Sequence, residues 1–111
     1  MTPLRERASM EIERSTLSGR AKGLRSADGA TDRFLGLPYA SPPVGALRWR
    51  APQRLAPWQG VRDATRFGDA SLQRTRPRDS IMYFGDESSS EDCLYLNVWA
   101  PTQAKGPHPV L

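Results

Sequence analysis

One cysteine, Cys93, and one histidine, His108, are all that the chain offers of the residue types most often used for metal binding and covalent chemistry. A single thiol excludes a disulfide within these residues and any cysteine-built zinc site. Cys93 lies between Asp92 and an apolar run, with no neighbouring cation to favour a thiolate, so it reads as a buried structural residue and not as a nucleophile. His108, flanked by Pro107 and Pro109, reads as a solvated connector residue and not as half of a dyad. There is no run of about 18 apolar residues, and the opening Met1-Thr2-Pro3-Leu4-Arg5-Glu6-Arg7 lacks the apolar core of a secretory signal. A soluble chain without a membrane partner is expected. A lone thiol is easiest to keep in a reducing cytosol, so cytoplasmic localisation is expected, with secretion left open.

Chemical motifs are also missing. The sequence contains no Gly-x-Ser-x-Gly elbow, Walker loop, dinucleotide fingerprint or His-x-x-x-His pair. No catalytic, cofactor-binding or metal-ligating residue is therefore assigned, and no cofactor is expected. The acidic pairs Asp86-Glu87 and Glu91-Asp92 read as solvated acids, because adjacent side chains in an extended segment face opposite ways.

What is present is an ordinary globular composition: 111 residues, 38% hydrophobic and 25% charged, enough for one domain at most. Sixteen basic residues against twelve acidic ones give a net charge of +4, but the excess is spread among acids. The dense group is Arg74, Arg76 and Arg78, which reads as a solvated loop. Three arginines supply only about three phosphate contacts, so no nucleic-acid partner is expected.

Along the chain, residues 1–8 read as a disordered terminus. Alternation from Met10 to Thr16 predicts a strand, Leu17 to Arg20 a turn, and Ala21 to Arg25 a returning strand. Ser26 to Asp32 is turn chemistry around Asp28-Gly29, followed by a short apolar strand from Phe34 to Ala40. Pro38, Pro42 and Pro43 predict an irregular, helix-free segment over residues 38–57. Its Leu47, Trp49, Leu55 and Trp58 carry too much apolar surface to leave in water at about 25 cal/mol per Å². Gly60 to Phe67 reads as extended with Val61 and Ala64 inward, and residues 70–90 as a long surface loop anchored by Tyr83-Phe84. Glu91 to Pro101 is the clearest strand, apolar on both faces, with Leu94, Leu96 and Val98 opposite Cys93, Tyr95 and Trp99. Thr102 to Pro109 reads as a connector, and Val110-Leu111 as the first step of another strand.

Two charges stand in apolar surroundings: Arg48 between Leu47 and Trp49, and Glu91 at the mouth of the last strand. A charge buried alone costs several kcal/mol, which predicts a mutual Arg48–Glu91 ion pair.

Three ordered blocks then carry a resemblance. Phe34-Leu35-Gly36-Leu37-Pro38-Tyr39-Ala40-Ser41-Pro42-Pro43-Val44-Gly45-Ala46-Leu47-Arg48-Trp49 is the first. Pro57-Trp58-Gln59-Gly60-Val61-Arg62-Asp63-Ala64-Thr65-Arg66-Phe67-Gly68 is the second, and Ser90-Glu91-Asp92-Cys93-Leu94-Tyr95-Leu96-Asn97-Val98-Trp99-Ala100-Pro101 the third. Together they resemble the N-terminal region of type B carboxylesterases, the α/β-hydrolase family that includes cholinesterases. The resemblance implies an α/β fold, of which residues 9–111 hold the N-terminal portion, mostly short strands and long loops with little helix. It implies a parent serine esterase acting on small carboxylic esters, in which serine attacks the carbonyl, histidine moves the proton and backbone N–H groups hold the oxyanion. The oxyanion loop and serine elbow follow the Val110-Leu111 position in that family, so the chain reads as a truncated part without the triad and inactive alone. A noncatalytic cholinesterase-like binding domain is the alternative.

The family's Arg and Glu ion pair maps onto Arg48 and Glu91, giving both a structural role beside Cys93. In many relatives the cysteine at the Cys93 position closes a disulfide around the preceding loop, with a partner where this chain has Ser71. Loss of that restraint, worth about 2–4 kcal/mol, implies a looser 70–90 loop.

Overall fold

The computed structural model describes residues 9–83, 85, 88–103 and 105–111. The expected disordered terminus over residues 1–8, and Phe84, Asp86 and Glu87 of the loop, lie outside the described residues. The described residues form five strands and one 3-10 turn: β1 (Met10–Thr16), β2 (Gly19–Arg25), β3 (Thr31–Pro38), the turn Gly45–Leu47, β4 (Val61–Asp63) and β5 (Tyr95–Pro101). The α-helical layers of an α/β protein have no counterpart among the described residues.

β1 and β2 form an antiparallel hairpin whose register ends at Thr16 opposite Gly19. The loop is therefore just Leu17 and Ser18, shorter than the four-residue turn expected. Thr16 makes this possible: its Oγ1 accepts from the Ser18 and Gly19 N–H groups at 3.1 and 3.2 Å and donates to the Gly19 carbonyl at 2.9 Å. A second turn follows at Asp28-Gly29, where Asp28 Oδ1 accepts from the Ala30 N–H at 3.0 Å and Gly29 takes φ +75°. The chain re-enters the sheet at Thr31, earlier than the expected Phe34.

The long edge of β2 is shared. Its end, Leu24 and Arg25, pairs antiparallel with β3, while Arg20 to Lys22 pair in parallel with β4. β3 in turn pairs antiparallel with β5, with a register shift between Phe34 and Leu37. Gly36 sits in this irregularity at φ +67°, and its N–H donates to the Asn97 Oδ1 at 2.9 Å. The bulge turns Leu35 away from the β5 ladder, so that its N–H donates to the Ala64 carbonyl at 2.8 Å.

The core is small. Ile12, Ala21, Phe34 and Ala64 are buried together, with Leu37 and Trp58 packed against them. Trp58 is fixed as well as packed, its Nε1 donating to the Arg20 carbonyl at 2.8 Å and Arg62 lying 5.5 Å over its ring.

Several expectations need correcting. Val61 is exposed at 42%, because pairing of β4 with β2 puts Ala64, not Val61, into the core. Trp49 is 96% exposed: it occupies φ 62° just after the 3-10 turn, and no described residue covers its ring. The segment 38–57 is not wholly without helix, since Gly45–Leu47 makes that turn. The last strand starts at Tyr95 and not Glu91, and Val110 and Leu111 are exposed and unpaired, so the expected further strand is absent. A strand needs a ladder partner, and the described residues supply none there.

Candidate functional site

The features that organise the molecule cluster where residues 39–50 and 90–95 meet the sheet. Tyr39 N–H donates to the Leu94 carbonyl at 3.2 Å, carrying the β3–β5 pairing one step past the strand end. Beyond Tyr39 the prolines keep the chain extended, and the 3-10 turn brings Arg48 back toward Glu91. There the guanidinium makes a two-pronged ion pair, Nε to Oε1 at 2.6 Å and the second nitrogen to Oε2 at 2.7 Å. The bond to Arg48 holds the Glu91 carboxyl below its ordinary range, and the same bond raises the Arg48 pKa. The pair was expected from burial, but both side chains are substantially open to solvent, at 50% and 37%. Bidentate geometry, not desolvation, holds it together.

Next to Glu91, the Tyr95 hydroxyl donates to Asp92 Oδ1 at 2.9 Å, and the Asp92 N–H donates to Ser90 Oγ at 3.1 Å. Burial, with the Asp92 hydrogen bond second, raises the Tyr95 pKa. Cys93, between them, is half-buried and unpaired with any sulfur, a correction to the expectation of full burial. His108 is exposed in the connector after β5, as expected.

At the base of the 70–90 loop, Ala70 bridges Ser89: the Ala70 N–H donates to the Ser88 carbonyl at 2.9 Å and the Ser90 N–H to the Ala70 carbonyl at 2.9 Å. The Ser88 hydroxyl also bonds the Asp69 carboxylate. Backbone pairing thus closes the neck one residue from Ser71, where the resemblance implied a lost disulfide.

The most enclosed charge went unnoticed in the sequence. Asp32 is 4% exposed, and its carboxylate accepts from Arg25 at 2.7 and 3.1 Å, from the Thr102 hydroxyl at 3.0 Å and from Arg14 at 3.3 Å. Hydrogen bonding to Arg25 is the chief cause of its lowered pKa, outweighing desolvation, which acts the other way. One carboxylate thereby ties β1, β2, β3 and the end of β5. Its signal in the sequence was faint, an aspartate at the close of a turn-rich stretch.

None of these groups forms a nucleophile, base and oxyanion arrangement. Among the described residues no group of three or more metal-ligating side chains occurs, and no helix is long and apolar enough to cross a membrane. The site is an organising one: it joins the β3–β5 ladder, the proline segment and the loop neck.

This mainly antiparallel sheet superposes on solved esterase structures. A PNB esterase superposes with a TM-score of 0.70 at 36% identity, the match covering 85% of this chain and 19% of the other. Across residues 6–111 the sequence matches the carboxylesterase family, and the chain belongs to it. It is 43% identical over 102 residues to fumonisin B1 esterase of Sphingopyxis macrogoltabida, covering 91% of this chain and 18% of that protein. It is 38% identical over 108 residues to acetylcholinesterase of Bungarus fasciatus, again 91% of this chain and 18% of the relative. The chain therefore spans less than a fifth of the length of these relatives.

Proposed function

We propose that these residues are the scaffold portion of a carboxylic ester hydrolase whose reactive groups lie outside residues 1–111. The reading is carried by family membership across nearly the whole chain, taken together with the absence from the sequence of any serine elbow. In the intact enzyme a serine would attack the ester carbonyl, a histidine would move the proton, and backbone N–H groups would hold the oxyanion. The contribution of this chain is positional. The Arg48–Glu91 pair ties the proline segment to the chain just after the 70–90 loop, and the Gly36–Asn97 bond holds the bulge within the β3–β5 ladder. Cys93, half-buried and free, serves as a structural residue beside them.

The partner of the whole protein is a small carboxylic ester, with neither nucleic acid nor membrane as a partner, in a cytoplasmic setting. Hydrolysis of a short aryl ester by the full-length gene product tests the reading. Turnover abolished by substitution of a serine outside residues 1–111 is the expected result. Correctly folded full-length protein that binds esters without hydrolysing them would replace it with the noncatalytic, cholinesterase-like binding domain.

A further inference from the structure

Asp28-Gly29 is the one Asp-Gly step in the sequence. Glycine after aspartate leaves the following backbone nitrogen without a Cβ to shield it, so at this step an aspartate side chain is most readily attacked by its own chain. The pair stands at the turn between β2 and β3, with both residues exposed to water. In the reaction the Gly29 nitrogen gives up its proton to water and bonds to Asp28 Cγ, while a carboxyl oxygen leaves as water and a five-membered imide remains. Water then adds to one imide carbonyl and breaks its bond to nitrogen. Opening at Cγ restores aspartate; opening at the main-chain carbonyl leaves isoaspartate, with the backbone rerouted through the side chain.

Three hydrogen bonds oppose the first step. The Gly29 N–H is already donated to the Ser26 carbonyl at 2.8 Å. Asp28 Oδ1 accepts from the Ser26 hydroxyl at 2.5 Å and from the Ala30 N–H at 3.0 Å, which fixes the side chain in one orientation. The Ser26 bond, with that of Ala30 second, also holds the Asp28 carboxyl below its ordinary range, in the ionised form whose oxygen leaves poorly. Ser26 Oγ is held in its turn, accepting from the Thr31 N–H at 3.0 Å.

We propose that Asp28 is the isoaspartate-forming site of this chain and that the Ser26 hydroxyl is the catch that restrains it. Local opening of the turn releases the catch. Conversion adds a methylene to the backbone path just before β3, and so disturbs the strand start at which Asp32 gathers Arg14, Arg25 and Thr102. The site is independent of ester hydrolysis, and its test is read without turnover.

The full-length gene product is incubated in warm, mildly acidic buffer, folded or in guanidinium chloride, and isoaspartate at residue 28 is followed by peptide mass spectrometry with electron-transfer fragmentation. It should accumulate at least fivefold faster in denaturant, and at least fivefold faster in folded Ser26→Ala, than in folded wild type. Ser26→Thr, which keeps the hydroxyl, should stay within twofold of wild type. No isoaspartate at residue 28 in denaturant, equal rates for folded and denatured wild type, or a folded Ser26→Ala no faster than wild type overturns the proposal. Should Ser26→Ala fail to fold, Ser26→Cys, similar in size with a weaker donor, takes its place: faster conversion supports the catch and an unchanged rate overturns it.

Discussion

Asp32 shows how one residue can hold several strands. Its carboxylate is nearly enclosed and accepts from two arginines and a hydroxyl, so replacing it removes the common partner of Arg25, Arg14 and Thr102. Asp32→Ala should destabilise the protein by about 2–3 kcal/mol, below the cost of breaking a fully buried pair because both arginines keep access to water. Thermal or denaturant unfolding measures this. The pH dependence follows from the lowered pKa. Unfolded chains bind the proton at about the ordinary value of 3.8, and the folded protein only at lower pH, so the stabilisation is whole above that value and is lost as pH falls through the folded one. Between pH 6 and pH 3 the wild-type melting temperature should therefore fall more steeply than that of Asp32→Asn. Parallel curves would mean that Asp32 is not the linked group. Glu91 is lowered in the same direction by Arg48, so Glu91→Gln should also lose part of the acid sensitivity, though its exposure makes the effect smaller.

At the scale of elements, the bulge in β3 and the neck of the 70–90 loop do the shaping. Gly36 holds φ +67°, and a Cβ there would come within 2.6 Å of the Arg66 carbonyl oxygen, a backbone atom that cannot yield cheaply. Gly36→Ala should cost at least about 1–3 kcal/mol in an unfolding measurement, combining left-handed strain with this contact. The loop neck predicts a different behaviour. Arg74 and Arg78 of the loop are trypsin sites, Arg76 being protected by Pro77, and Asp69→Ala removes the acceptor of the Ser88 hydroxyl. Trypsin should cut after Arg74 and Arg78 several times faster in that variant than in wild type, and equal rates would show that the backbone bridge alone closes the neck.

These elements differ in how legible they were beforehand. The β1–β2 hairpin and the β3–β5 strands follow from alternation and turn residues, local signals that survive into the fold. The two-residue loop was missed because it depends on a side chain, Thr16, capping two N–H groups, which alternation does not register. In the 60–67 stretch Ala64 is buried as expected but Val61 is not, since its facing is decided by parallel pairing of β4 with β2, about forty residues earlier. The Arg48–Glu91 pair was found for an incomplete reason: apolar neighbours in sequence suggested burial, whereas the guanidinium fork and carboxylate meet at the surface. Asp32 carries no local signal because its four hydrogen bonds come from residues 14, 25 and 102, brought together only by the sheet.

For the whole molecule, the balance between core and surface is the informative quantity. Among the described residues only six hydrophobic side chains are buried, while Trp49, Tyr39, Leu96, Val98 and Trp99 are exposed. That much apolar surface along β5 and the proline segment is what a sheet shows before its other layers are added, in keeping with a chain spanning 18% of its relatives. Expressed alone, residues 1–111 should bind a hydrophobic dye and melt without a sharp transition, and a monomer with a cooperative melt and no dye binding would contradict this. The central claim is that these residues provide architecture and not the reactive serine. Its most direct test is to treat the full-length gene product with a fluorophosphonate and map the adduct by peptide mass spectrometry: the label should fall on a serine outside residues 1–111, and a stoichiometric adduct on any serine within them would contradict the account.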